Sequence, residues 1–199
     1  MTNELILVRH ARCEHMDEML LGRTVDAPLD AQGVRQAEAT ASALRHRDDL
    51  LIMASPRRRA RQTAAAIAAL TGGEVVSSDA IDEIDFGPWS GQTFAQLAGD
   101  AGWRYWNEHR SSAATPSGER IADVQARMLR QLNRWREDFP GRVIAIVTHA
   151  EVIRAVLMHW LDAPIDGYGR LAIDPASYST VSLGDWGVRI EGINQRVAA

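Results

Sequence analysis

Two histidines, His10 and His149, end two apolar runs in the same way. Leu5-Ile6-Leu7-Val8 leads into Arg9-His10-Ala11, and Val143-Ile144-Ala145-Ile146-Val147 leads into Thr148-His149-Ala150. Runs of large aliphatic residues bounded by polar ones fit strands buried on both faces of a parallel sheet. The carboxyl ends of such strands form the rim where ligands bind, so each strand delivers a histidine there. If the two strands pair, about 4.8 Å apart, both rings flank one pocket. One histidine alone reads best as a satisfied core residue; the second one reverses that reading. A third stretch, Pro56-Arg57-Arg58-Arg59-Ala60-Arg61, loads arginines onto the start of a helix, where the dipole favours acids. As a bare run it is a solvated basic face or a nucleic-acid patch. Directly after a buried strand, at backbone N–H groups already suited to an anion, it reads as a phosphate pocket.

The elements that must hold these residues alternate. Asp30 is placed as N-cap of a helix with Val34, Ala37, Ala41 and Leu44 on one face, interrupted at Asp48-Asp49. Leu50 to Ala54 reads as a strand, and Ser55-Pro56 as the cap and first-turn proline of a helix to about Leu70. Gly72-Gly73 ends that helix before a short strand, Glu74 to Ser77. Residues 80–118 show no clean period and predict an irregular, partly helical insertion, about 88–118, over the active site. Its Trp103, Tyr105 and Trp106 serve either as packing or as a surface for an organic leaving group. Ile121, Val124, Met128, Leu132, Trp135 and Phe139 step by three and four, giving a helix from about Arg120 to Phe139, stopped by Pro140-Gly141. Glu151 to Leu161 is a further helix, and Tyr178 to Leu183 with Val188 to Ile193 a hairpin. The fold class expected is α/β: a three-layer sandwich with a mostly parallel central sheet, in a single domain over 1–199.

The composition narrows the function classes. The 199 residues are 46% hydrophobic and 24% charged, ordinary for a globular protein, with a net charge of −4 that disfavours general nucleic-acid binding. One cysteine, Cys13, precludes an internal disulfide and suits a reducing compartment. No apolar run reaches membrane-span length and the first residues lack a secretion-type pattern, so the chain is expected in the cytoplasm, away from membranes. A metal hydrolase would need clustered ligands at metal spacing, and no His-Glu-x-x-His occurs, so no metal and no cofactor are expected.

The ordered motifs resemble the histidine phosphatase (phosphoglycerate mutase-like) superfamily. Leu7-Val8-Arg9-His10-Ala11 is similar to its Arg-His-Gly signature, and Gly22-Arg23 through Gln36-Ala37 to the loop and helix that follow. Ser55-Pro56 with Arg59-Ala60-Arg61-Gln62-Thr63-Ala64, Ile81 to Gly91, Pro116-Ser117-Gly118-Glu119 and Val147-Thr148-His149 complete the series. The resemblance implies that His10 accepts a phosphoryl group, that Glu83 is the general acid, and that Arg9, Arg59 and His149 hold phosphate oxygens. Spacing alone does not separate Glu83 from Asp79, Asp82 and Asp85; the match Glu83-x-x-Phe86-Gly87 does. Arg12 and Arg23 are expected as possible substrate contacts, Arg12 being equally readable as a solvated loop arginine. The chain departs from the family at Ala11, tolerable if the backbone there is not left-handed. It departs again at Arg12-Cys13, at Met16 and at Ala150-Glu151. The implied activity is hydrolysis of a small phosphomonoester. The alternatives are mutase-type transfer, or a weakly active phosphate-binding regulator.

Overall fold

The computed structural model describes residues 1–47 and 49–198; Asp48, one of the two residues expected to interrupt the first helix, lies outside them. The strands are β1 (Asn3–Arg9), β2 (Leu51–Ala54), β3 (Val75–Ser77), β4 (Val143–Thr148), β5 (Tyr178–Gly184) and β6 (Gly187–Gln195). The helices are α1 (Ala31–Leu44), α2 (Arg58–Thr71), α3 (Phe94–Gly99), α4 (Ala101–Glu108), α5 (Ile121–Asp138) and α6 (Ala150–Trp160). The strands form one mixed sheet in the order β3-β2-β4-β1-β5-β6. β1 runs parallel to β4, and β2 lies parallel to both β4 and β3. β5 is antiparallel to β1, and the β5–β6 hairpin completes the other edge.

The central strands are buried on both faces, which is why they read as unbroken apolar runs. Along β1, Ile6 and Val8 pack with Ala41, Leu44, Ala60, Ala64 and Ile67 of α1 and α2. The alternate residues, Leu5 and Leu7, pack with Val124, Met128 and Leu132 of α5 and Ile153 and Val156 of α6. β4 divides in the same way, Ala145 and Val147 against Ile144 and Ile146. Each fully buried aliphatic side chain is worth about 1.5–3 kcal/mol relative to exposure, and a one-residue slip in register would exchange the two faces and spoil the packing of both layers. This is the expected three-layer sandwich.

The α1 face is rotated from the expected one. Asp30 caps it, accepting from the Gly33 amide at 2.7 Å. The buried residues are Gly33, Ala37, Thr40, Ala41 and Leu44, while Val34 is exposed. The cause is a close approach: a Cβ on Gly33 would stand 1.7 Å from the Arg12 carbonyl oxygen, so only glycine lets the helix lie against that loop. α2 also starts later than expected. Arg57, not Ser55, occupies its N-cap, with no side-chain capping bond. Gly72, at φ +71°, ends it in the left-handed conformation that glycine adopts freely. Residues 79–119 pass through short turns, α3 and α4, and bury Phe86, Trp89, Leu97 and Trp106 in the same core as α5 and α6. Among the described residues no helix is long and apolar enough to cross a membrane.

Candidate active site

The parallel register pairs Arg9 with Thr148, so the next residue on each strand is a histidine. The His10 amide donates to the Thr148 carbonyl at 2.9 Å, and the two imidazole centroids lie 5.2 Å apart. Arg9, His10, Arg59 and Glu83 line one side of a cavity of about 290 Å³. His149 is fully buried beside them.

Hydrogen bonding fixes the proton on each ring. His10 Nδ1 lies 2.9 Å from the Ala11 carbonyl, which can only accept, so Nδ1 carries the hydrogen. Nε2 is left with its lone pair, and Arg59 Nε donates toward it at 3.2 Å. Both contacts demand the same tautomer. His149 has the reverse arrangement: Arg59 Nη2 lies 3.3 Å from Nδ1, while Nε2 is 2.7 Å from Ser55 Oγ. Ser55 spends its only hydrogen on Asp82 Oδ1 at 3.0 Å, so it accepts from His149 Nε2–H. Burial, reinforced by Arg59, holds both imidazoles well below the usual histidine range and keeps them neutral.

Arg59 is the second residue of α2, and its backbone carbonyl accepts from Thr63 Oγ1 at 2.8 Å. Thr63 Oγ1 in turn accepts from the Ala11 amide at 3.0 Å, which ties the arginine's helix to the loop that carries His10. Ala11 is not among the residues with positive φ, so the replacement of glycine there carries no strain. Arg9 donates from Nη1 to the Ile173 carbonyl at 2.6 Å, and its buried Nε has no partner. Met16, another departure, lines the cavity with its sulfur 3.7 Å from Arg9 Nη2.

Glu83 is the one carboxylate of its run that lines the cavity; Asp79, Asp82 and Asp85 do not. The Ile84 amide donates to Glu83 Oε1 at 3.0 Å, which leaves Oε2 to carry the proton of the neutral acid, 3.5 Å from His149 Nδ1. Desolvation, with the charge of Glu151 adding to it, pushes the Glu83 carboxyl up to about 7. A carboxyl so tuned can give a proton at neutral pH and take one back.

The two arginines read as possible substrate contacts are held by other groups. Arg12 is paired with Asp17 at 2.6 Å and Asp30 at 2.8 Å and does not line the cavity. Arg23 also faces away from it: Nε donates to the Glu83 carbonyl at 2.6 Å and Nη2 reaches Glu119 at 2.9 Å. Of the arginine run, only Arg59 reaches the cavity; Arg57 pairs with Asp82 at 3.0 Å and Arg58 with Asp26 at 3.7 Å. The Arg12 and Arg58 pairs are partly exposed and stabilise little, whereas Arg23 and Arg57 meet the buried Asp82 and the largely buried Glu119.

The opposite wall was not foreseen. Arg110 lies 3.9 Å over both Trp106 and Tyr168, and its Nη1 reaches Glu151 at 2.7 Å. Arg154 stands beside the same glutamate at 3.9 Å. Trp103 and Phe94 line the mouth, Trp106 is core, and Tyr105 is exposed against His109. A signal for Glu151 was present: it follows His149 by two residues, inside the first turn of α6. Nothing in the sequence ties Arg110 to that helix.

A doubly packed α/β sheet with paired histidines and an arginine pair at its rim defines a phosphate-handling site. The chain belongs to the histidine phosphatase superfamily (branch 1), whose family model matches residues 5–196. It is similar to phosphoserine phosphatase 1 of Hydrogenobacter thermophilus, 30% identical over 182 residues, covering 90% of this chain and 86% of that protein. It is also 29% identical to glucosyl-3-phosphoglycerate phosphatase of Mycobacterium tuberculosis over 205 residues, covering 97% and 92%. The solved native structure of mycobacterial glucosyl-3-phosphoglycerate phosphatase superposes with a TM-score of 0.85 at 26% identity, covering 98% of this chain and 99% of that one. A bifunctional protein of Mycobacterium tuberculosis is 33% identical over 178 residues, and the chain spans about half of its length, 49%.

Proposed function

We propose that this chain hydrolyses a small phosphorylated metabolite through a phosphohistidine formed on His10 Nε2. The observation that carries the reading is the His10 tautomer: Nδ1–H is anchored on the Ala11 carbonyl, and the Nε2 lone pair faces Arg59. In the first half-reaction Nε2 attacks phosphorus, the P–O bond to the leaving group breaks, and Glu83 Oε2 gives its proton to the departing alkoxide. In the second, Glu83 takes a proton from water, the resulting hydroxide attacks phosphorus, and the P–N bond breaks to release phosphate. One hard displacement becomes two easier ones. Arg9 and Arg59 hold the equatorial oxygens, where positioning and fixed charge supply most of the rate. His149 faces the same oxygens with Nδ1, and Ser55 with Asp82 steadies its other nitrogen for the moment it gains a proton from the bound phosphate.

The names of the relatives support phosphate esters of small hydroxylated acids as substrates, phosphoserine and glucosyl-3-phosphoglycerate among them. The net charge of −4 and a single, buried Cys13 support a metabolite over nucleic acid, and a cytoplasmic setting. The test is phosphate release from p-nitrophenyl phosphate and from a panel of metabolite phosphomonoesters, with and without excess chelator. Turnover that survives the chelator is expected, because arginines supply the positive charge. Loss in chelator with recovery on a divalent ion overturns the metal-free account. Interconversion of 3- and 2-phosphoglycerate that outruns phosphate release overturns the hydrolase reading in favour of a mutase.

A further inference from the structure

The segment that carries Glu83 has no strand ladder or long helix to hold it, and arginine side chains take the carbonyls of Ala80, Asp82 and Glu83 instead. Three arginines converge on two residues. Arg23 Nε donates to the Glu83 carbonyl at 2.6 Å, and Arg127 Nη2 donates to the same carbonyl at 3.1 Å and to that of Asp82 at 2.6 Å. Arg127 Nη1 adds the Ala80 carbonyl at 2.9 Å, and Arg57 pairs with the Asp82 carboxylate. Like charges packed this closely repel unless a counter-charge sits among them. Asp82 supplies one counter-charge, 3.6 Å from Arg23 Nε, and the one shared by Arg23 and Arg127 is Glu119, the last residue of the Pro116-Ser117-Gly118-Glu119 motif, which is largely buried and does not line the cavity. Its carboxylate accepts from Arg23 Nη2 at 2.9 Å and from Arg127 Nε at 3.1 Å, and also takes the Asp85 amide. The acid's main chain is thus gripped from both sides: its carbonyl by the two arginines and its flank, at Asp85, by the glutamate itself.

We infer that Glu119 is a positioning residue for the acid: through Arg23 and Arg127 it fixes the Glu83 main chain so that Oε2 faces the pocket. The inference rests on the role of Glu83 proposed above. It gives the Pro-Ser-Gly-Glu motif a task at a site it never touches, and it gives Arg23 a task other than substrate contact. The phosphate end should be indifferent to the clamp, because none of Arg9, His10 and Arg59 bonds to Glu119. Proton delivery should not be, since misplacement of a catalytic group by about 1 Å can cost on the order of 10²-fold.

The experiment uses Glu119→Gln, which keeps shape and removes charge, assayed on an alkyl phosphomonoester and on p-nitrophenyl phosphate, whose leaving group needs little protonation. The expected result is a fall in kcat/KM, which reports the step that expels the leaving group, of about 10- to 100-fold on the alkyl ester and less than about 3-fold on the aryl ester. Inhibition by inorganic phosphate should stay within about 3-fold, because that site is intact. In a Glu83→Gln background the second substitution should cost nothing further on the alkyl ester, since the acid it positions is gone. Equal losses on both esters, or additive losses in the double variant, overturn the inference and leave Glu119 as fold support only. If Glu119→Gln does not fold, the partly exposed Arg23→Lys carries the same test: the same split, smaller in size, supports the clamp, and no split overturns it. A wild-type protein that turns over neither ester refutes the phosphatase reading itself, which separates that failure from this one.

Discussion

The two ends of the candidate active-site cavity are built by different means. His10 and His149 stand at the ends of neighbouring strands, and their separation is set by a parallel ladder in which Arg9 faces Thr148. Glu83 sits in an irregular segment whose backbone is held by side chains, chiefly Arg23, Arg127, Asp82 and Glu119. A ladder spreads the work of positioning over many backbone bonds and two hydrophobic layers, so single side chains matter little to it. An ionic clamp concentrates the work in four or five groups. The strand end is therefore robust and general, suited to the invariant phosphoryl group. The loop end is adjustable, suited to the proton demand of a particular leaving group.

Substitutions can break this contrast, the largest effect first. His10→Ala removes the proposed nucleophile and should lower turnover by more than about 10⁴-fold on every phosphomonoester. Circular dichroism should be unchanged, because the ladder beneath needs only the backbone. Residual activity within about 10²-fold of wild type would place the nucleophile elsewhere. Glu83→Gln should cost about 10²–10⁴-fold in kcat/KM on alkyl esters and far less on p-nitrophenyl phosphate, because this ratio reports the step in which the leaving group departs. A matching loss on both would move the acid to another group.

The same variant carries a stability prediction of opposite sign. Burial raises the Glu83 carboxyl from 4.5 to about 7 in the folded protein. The folded state therefore keeps a proton that the unfolded chain has lost, and the stability this contributes, full below about 4.5, drains away as pH rises to about 7. The total is on the order of 3 kcal/mol. Chemical denaturation at pH 8 should find Glu83→Gln more stable than wild type, and the advantage should vanish near pH 4.5. The variant-minus-wild-type difference isolates this group from His10 and His149, whose lowered values act in the opposite sense. A pH-independent difference would show that the carboxyl is solvated after all. The smallest effect sharpens the boundary of the site. Arg12→Ala breaks two partly exposed ion pairs and should change stability by no more than about 1 kcal/mol, leaving KM unmoved. A tenfold rise in KM would bring Arg12 to the substrate.

The same division decided what the sequence made legible. Apolar runs of four and five residues mark β1 and β4, and the residues that end them are delivered by the register, so the position of Arg9, His10 and His149 at the sheet's rim is legible in the sequence. Arg59 was legible because its helix follows a buried strand. The α1 face was misjudged at Val34 because a tertiary contact, Gly33 against the Arg12 carbonyl, outweighs periodicity. Ser55 read as a helix cap, yet its hydroxyl is spent on His149 and Asp82, a partnership formed only once the sheet exists. Arg12 and Arg23, read as possible substrate contacts, lie outside the cavity lining on ion pairs of their own, because a sequence does not say which carboxylate a loop arginine will find. Arg110 stacking between Trp106 and Tyr168 joins an irregular insertion to a later loop, and no local pattern marks it.

The central claim is that the strand-end imidazole, with its lone pair on Nε2, becomes the phosphoryl carrier. Rapid quench at alkaline pH with a labelled phosphomonoester, followed by peptide mapping, tests it most directly. The account predicts acid-labile label on His10, formed at least as fast as turnover and also formed in Glu83→Gln with an aryl ester. Label on His149 or on a carboxylate, or turnover with no phosphoenzyme forming at a competent rate, would contradict it.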